Sequence, residues 1–459
     1  MRIHFIAIGG AGMSVIAELL LAQGYRVSGS DRADSPVLAR LAARGAEVHV
    51  GHDAAHVAHL GPEDLVVVST AIAPDNVELR AAKDRGIPIR HRSEALALAA
   101  RGKDFVAVAG SHGKTTTSAM LAVALRTAGQ DPSFAIGGRV VALDTGAHLG
   151  TGTVFVAEAD ESDKSFINYD PQVAIVTNIE PDHLDHYGTE AAYTAAFGDF
   201  VDKLRPGGLL IANADDDGAA QLARTAAAAG KRVQTYGTGT GAHVRIEAPQ
   251  LAATQSGARL VSEIGAVELD LAVPGEHNLA NATAAWCAGV ELGVDPADMA
   301  AALGTFTGTA RRFELRGSVG GVRVIDDYAH NPAKVAAAVR TARGAAGGGR
   351  VLALFQPHLY TRTRDFAAEF AEALSGADSV WLAPIFPARE EPLPGVTSAL
   401  IGAHLPQANL ARGLDEAARA VARAARPGDV VITIGAGDVT TAAGSILAEL
   451  EHLAEPGRQ

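Results

Sequence analysis

Twice within its first 120 residues the chain runs an apolar strand into a glycine turn and straight on into a helix: "FIAIGGAGMSVIAELLLAQGYRVSGSD" from residue 5 and "FVAVAGSHGKTTTSAM" from residue 105. A helix reached through such a turn presents unpaired N–H groups that suit an anion. Short β-branched runs then alternate with alanine-rich helical stretches along nearly the whole length, the pattern of parallel α/β domains. At 459 residues one core does not suffice. Three domains are expected, over 1–98, 99–313 and 314–459.

In the first region strands are predicted at 3–8, 25–29, 46–50, 65–69 and 87–89, with helices at 11–23, 35–44 and 75–85. The second carries strands at 105–109, 153–158 and 172–177, and an alternating segment near 243–273 reads as a small antiparallel insertion. The third restarts with "GVRVIDDYAHNP" and has strands at 350–355, 379–384 and 429–434. A net charge of −13 argues against a nucleic-acid partner, which demands a basic face. Small phosphorylated substrates stay open, because a local pocket can outweigh the global charge. Cys287 is the single cysteine and reads as a buried thiol inside a helix. Met1 leads directly into the first strand and no apolar run approaches about 18 residues. No signal peptide or membrane insertion is therefore expected, and a cytoplasmic location is.

The first turn fits the start of a dinucleotide fingerprint at Gly10 and Gly12, but Val15 stands where a third glycine belongs. Asp31, closing the second strand, is placed to meet a ribose-like hydroxyl. A diphosphate site, an NAD(P) site and a turn used only for packing all remain open on the residues alone. The second turn, "GSHGKTTTS", says more. Gly110 and Gly113 permit close backbone approach, Lys114 offers a cation to the β- and γ-phosphates, and Thr115 offers a hydroxyl to Mg²⁺. Val108 replaces the first glycine of the full Walker spacing, so the loop is a shortened variant.

Two further strand ends, where ligands of open parallel sheets gather, support a nucleotide site. "VFVAEADESD" leaves Glu158 at one, and "VAIVTNIEPDHLDHYG" leaves Asn178, Asp182 and His183 beyond the other. Carboxylate and hydroxyl oxygens suit Mg²⁺, and the imidazole suits a second metal position or a phosphate. Asp160, Glu161 and Asp163 read equally well as a solvated acidic loop or as part of the site.

Together with "PGEHNLANATAA", "ARRFELRG", "DDYAHNP" and "FQPHLYTRTRDF", these stretches occur in the order found in the Mur ligases, and nearly the whole chain resembles that family. "IGGAGMS" and "EADESDKSF" resemble its alanine-adding branch, with a sister ligase adding another amino acid or a recycled peptide as the alternative. The resemblance implies an N-terminal Rossmann-like domain, a central P-loop ATPase-like domain and a C-terminal Rossmann-like domain. It also implies ATP-dependent joining of L-alanine to UDP-N-acetylmuramate through an acyl phosphate, with Mg²⁺ or Mn²⁺, in peptidoglycan precursor synthesis by a monomer or homodimer.

By the same resemblance the UDP-sugar falls to Gly9, Gly10, Gly12, Met13, Asp31 and Ser69. ATP falls to Gly110, Ser111, His112, Gly113, Lys114, Thr115, Thr116, Asn278, Asn281, Arg312 and Asp327. The metal falls to Thr115, Glu158 and His183, and the amino acid to His330, His358, Arg362 and Arg364. Lys114, Glu158, His183, His330 and Arg362 would carry the chemistry. On the residues alone, Asn278 and Asn281 also read as caps of a helix starting near 279, Asp326 or Asp327 as caps of the helix after "AHNP", and Arg311 and Arg312 as a surface ion pair. Two departures stand out. Phe197 occupies the place where several sister ligases carry a carbamylated lysine, and Leu359 stands where many members have arginine.

Overall fold

The computed structural model describes residues 1–252, 254–388 and 390–454. Its strands fall into three sheets. The first has five parallel strands in the order Glu47–Val50, Arg26–Asp31, Arg2–Ile6, Leu65–Val68, Ile89–His91. The earliest strand lies in the middle, and chain order reverses beside it. A crevice therefore opens at its carboxyl end, where the first glycine turn follows. Ile3 and Phe5 join the core under one face and Ile6 the core under the other. Burial on both faces is why this strand reads as an apolar run rather than an alternation.

The ten-stranded second sheet centres on Asp104–Ala109, flanked by Val173–Val176 and Val154–Glu158, all parallel. Leu209–Asn213 and Arg232–Gly237 extend it on one side, followed at that edge by Val244–Leu251, Ser256–Ser262 and Gly265–Leu271. The other edge is the antiparallel hairpin Ser133–Val140 and Thr145–His148. The third sheet runs Glu314–Val319, Val322–Asp327, Val430–Ile434, Val351–Phe355, Ser379–Leu382, Asn409–Leu410, parallel except for its first pair.

Residues Met1–Gln250, Gly257–Ala272 and Glu276–Thr307 form one compact unit containing the first glycine turn and the P-loop. The second unit comprises Leu251–Ser256, Val273–Gly275 and the chain from Gly308 onward. Among the described residues no helix is long and apolar enough to cross a membrane.

Most expected elements stand within two residues of their predicted bounds. The first strand stops at Ile6 rather than 8 because Ala7 already turns, at φ 64°. The 133–148 hairpin was not expected: Gly137, Gly138 and Gly146 interrupt its alternation. Phe197 is fully buried, edge-on to Phe166 and Tyr193, within an aromatic core. Cys287 is buried in the helix Glu276–Glu291, which pushes its thiol pKa up.

Candidate active site

Strand Asp104–Ala109 delivers the P-loop to the helix Lys114–Thr127. Gly110 and Gly113 have φ of 137° and 81°, conformations that side chains resist. A Cβ on Gly110 would collide with Thr177 Oγ1, and one on Gly113 would lie 2.6 Å from Asn281 Oδ1. Asn178 clamps the turn, its Oδ1 accepting from His112 N at 2.8 Å and its Nδ2 donating to His112 O at 3.2 Å. Ser111 Oγ donates to Glu180 O at 2.7 Å and lies 2.8 Å from the Tyr193 hydroxyl. His112 Nε2 is 2.9 Å from Glu180 Oε2. Ser111 and His112 thus hold the loop's shape through their side chains.

Lys114 Nζ donates to Gly110 O at 2.5 Å and to Glu161 at 2.8 Å. Burial works against its charge, but Glu161 and then Asp160 outweigh it, and the ammonium titrates above its ordinary value. Thr115 Oγ1 donates to Glu158 Oε2 at 3.1 Å, and Glu158 Oε1 accepts the Gly137 N–H at 2.7 Å. The unforeseen hairpin therefore aims the carboxylate. A hydroxyl and a carboxylate at the mouth of a phosphate loop are the hard-oxygen donors Mg²⁺ takes alongside water and phosphate. Among the described residues no group of three or more His, Cys, Asp or Glu side chains is placed to hold a metal ion. His183, at φ 53°, brings Nε2 to 3.8 Å from Glu161 Oε1.

The solvated-loop reading of Asp160, Glu161 and Asp163 is corrected by their partners. Asp160 pairs with Arg92 at 2.6 Å, Glu161 is buried against Lys114, and Asp163 lies 3.4 Å from His91 Nε2 and 3.2 Å from Thr70 Oγ1. No sequence spacing announces these contacts, because Thr70, His91 and Arg92 belong to the first sheet's strand ends and loops. The capping reading of Asn278 and Asn281 also fails. Their helix begins at Glu276, both are buried within it, and Asn281 lies against the P-loop.

At the first turn Gly10 is the N-cap of Ala11–Ala22 and carries no side-chain cap. Asp31 Oδ2 accepts the Gly9 N–H at 2.9 Å, and a Cβ on Gly9 would lie 2.8 Å from that oxygen. Gly12 faces Arg92, whose Nη1 would be 3.4 Å from a Cβ there. Met13 packs its side chain into the core, leaving its backbone for any ligand. Ser69 follows directly on Leu65–Val68.

In the second unit Asp327 ends Val322–Asp327, accepting from Phe313 N and Ala329 N at 2.8 Å each. Burial pushes its pKa up, opposed by Arg312. The cap of the next helix, Pro332–Ala346, is Asn331 rather than Asp326 or Asp327. Asp326 is instead bound by Thr433 and Thr440 hydroxyls at 2.6 Å. His330 Nδ1 is 3.0 Å from Tyr328 O, an atom that only accepts, so Nδ1 carries the proton and Nε2 the lone pair. Burial, then repulsion from Lys334, holds its pKa well below 6.5.

His330 and His358 lie with ring centres 6.2 Å apart, and Arg362 Nη1 reaches His330 O at 3.4 Å. Arg364 is turned to Asp365 at 2.7 Å on the surface. Arg311 does pair with an acid, its Nε 3.6 Å from Oδ2 of the buried Asp326, and both Arg311 and Arg312 lie over the Tyr328 ring, at 4.8 and 5.1 Å. Leu359, with φ 73° and ψ 137°, starts the short helix Tyr360–Asp365 in a conformation side chains rarely adopt, which concentrates strain beside His358.

Strand-to-helix glycine turns on two of the α/β sheets, one of them carrying a phosphate-loop lysine, define a nucleotide-binding class of protein, and the chain belongs to the Mur ligase family. It matches the patterns described as Mur ligase family, catalytic domain (residues 2–104), Mur ligase middle domain (108–289) and Mur ligase, glutamate ligase domain (311–437). It is similar to UDP-N-acetylmuramate–L-alanine ligases from Kineococcus radiotolerans, 54% identical over 97% of this chain and 95% of that one, and from Renibacterium salmoninarum, 53% identical over 100% and 97%. Among solved structures it resembles the UDP-N-acetylmuramate-alanine ligase of Thermotoga maritima, with TM-score 0.82 and 27% identity over 99% of this chain and 100% of that one.

Proposed function

We propose that this chain joins L-alanine to the lactyl carboxylate of UDP-N-acetylmuramate with conversion of ATP to ADP and phosphate, in peptidoglycan precursor synthesis. The carrying observation is the pairing of a complete phosphate-loop apparatus, Lys114, Thr115 and Glu158, with a separate glycine turn closed by Asp31. Two cradles suit two different phosphorylated ligands. Similarity to alanine-adding ligases over almost the full chain favours this branch over a sister ligase.

A carboxylate is a poor acyl donor. Moving the γ-phosphoryl group of ATP onto it gives an acyl phosphate and ADP. The amine of alanine then attacks the acyl carbon, forming the amide, releasing phosphate and losing one proton. Phosphoryl transfer needs positioning and charge neutralisation rather than a protein nucleophile. Lys114, once it exchanges Glu161 for phosphate oxygens, supplies one positive charge. Thr115 and Glu158 would hold Mg²⁺, which supplies further charge neutralisation on the phosphates. Asn278 and Asn281 would face the adenine, and Gly9, Gly10, Gly12, Met13 and Ser69 would hold the UDP-sugar. In the second unit His330, kept neutral with Nε2 as its lone-pair atom, would take the proton of the alanine ammonium, with His358 and Arg362 beside it.

The test is phosphate release with UDP-N-acetylmuramate, ATP, Mg²⁺ and one amino acid at a time. Release is expected with alanine. Release that needs neither sugar nor amino acid refutes ligase chemistry, and release with glutamate but not alanine refutes the branch.

A further inference from the structure

Arg92 stands where the two cradles approach each other within the first unit. It opens the helix Arg92–Ala99, faces Gly12 of the first turn, and gives its guanidinium to Asp160 at 2.6 Å and Asp163 at 3.7 Å. Asp163 is held as well by His91 and by Thr70, the residue after Ser69. The two acids bracket Glu161, whose carboxylate holds the Lys114 ammonium, which also donates to Gly110 O of the P-loop. The arrangement is therefore a chain of contacts: first turn, Arg92, acidic loop, Glu161, Lys114.

Each end of that chain must change on binding. An anion in the first turn draws on the same guanidinium that anchors Asp160. Lys114 already commits two of its three N–H donors, to Gly110 O and Glu161, so phosphate oxygens compete with Glu161 for its charge. The Asp160 side chain is 36% exposed and hydrates readily once released, whereas Glu161 at 2% cannot hydrate without moving its loop. A weakened anchor at Asp160 lowers the cost of that movement.

We propose that Arg92 and Asp160 are positioning residues that couple occupancy of the UDP-sugar turn to release of Lys114 for ATP. This rests on the reading of the first turn as the UDP-sugar site. The coupling is reciprocal by linkage: each nucleotide tightens the other by the same factor, about fivefold or more.

The experiment titrates the full chain with a non-hydrolysable ATP analogue and Mg²⁺, with and without saturating UDP-N-acetylmuramate, for the natural protein, Asp160→Asn and Arg92→Gln. The natural protein should bind the analogue about fivefold tighter or more when the sugar is present. Asp160→Asn, its anchor already loosened, should bind the analogue without sugar about as tightly as the sugar-loaded natural protein, and adding sugar should change little. Arg92→Gln should show the same tightening without sugar. Damage to the fold alone would weaken binding in both variants, so tightening separates positioning from structure. Analogue binding that is indifferent to sugar, coupling of the opposite sign, or variants that couple like the natural protein or bind the analogue more weakly overturn the proposal. Failure of the natural protein to bind UDP-N-acetylmuramate at all overturns the functional reading too, whereas binding without coupling overturns the proposal alone.

Discussion

Lys114 shows how much one side chain gains from its surroundings. Its ammonium is held charged by Glu161 and Asp160 against the cost of burial, so removing it takes away a cation and leaves the buried Glu161 without its nearest positive charge. Lys114→Ala is expected to lower turnover by at least about 10²-fold, the scale of losing one preorganised charge contact. UDP-N-acetylmuramate binding should stay largely intact, and calorimetric titration beside a phosphate-release assay checks both. His330 gives the pH counterpart. Burial holds its pKa well below 6.5, so its neutral form, the proton acceptor, persists through neutrality. The His330-dependent acid limb of kcat/KM should lie below pH 6.5, activity rising with pH through it, and His330→Gln should remove it. A limb at or above 6.5 that vanishes in the variant would contradict the role.

At the scale of elements, helix Glu190–Val201 packs Phe197 against Phe166 and Tyr193, with Phe166 stacked on Phe200 at 4.9 Å. Tyr193 carries that packing to Ser111 of the P-loop, 2.8 Å from its hydroxyl. The helix is thus a strut for the nucleotide turn. Phe197→Ala should cost about 3–5 kcal/mol of stability. Urea unfolding measures that cost, and a loss below 1 kcal/mol would mean the cluster is not a load path. The hairpin 133–148 acts likewise on Glu158 through the Gly137 N–H.

For the whole molecule, two compact units in one chain are expected to depart from a single two-state transition. ATP and UDP-N-acetylmuramate, whose expected contacts lie in the first unit except for Arg312 and Asp327 toward ATP, should raise the first unit's transition in differential scanning calorimetry. A ligand at 100 times its dissociation constant stabilises by about 2.7 kcal/mol. The second unit's transition should move less. Equal shifts in both would contradict placing most of the nucleotide contacts in the first unit.

The alternation of apolar runs with alanine-rich helices determined the α/β class, most strand positions and the two anion turns, because burial period and glycine placement are local and survive in one dimension. The ordered motifs likewise marked Lys114, Thr115 and Glu158. Tertiary structure alone decided which acids are engaged. Asp160, Glu161 and Asp163 read equally well as solvent-facing charge until Arg92, His91 and Lys114 arrive from 47 to 72 residues earlier. It also decided that Asn281 abuts Gly113 and that Arg311 and Arg312 flank Tyr328. A charge gains its partner through folding, and pairing across that distance leaves no periodic trace in the sequence.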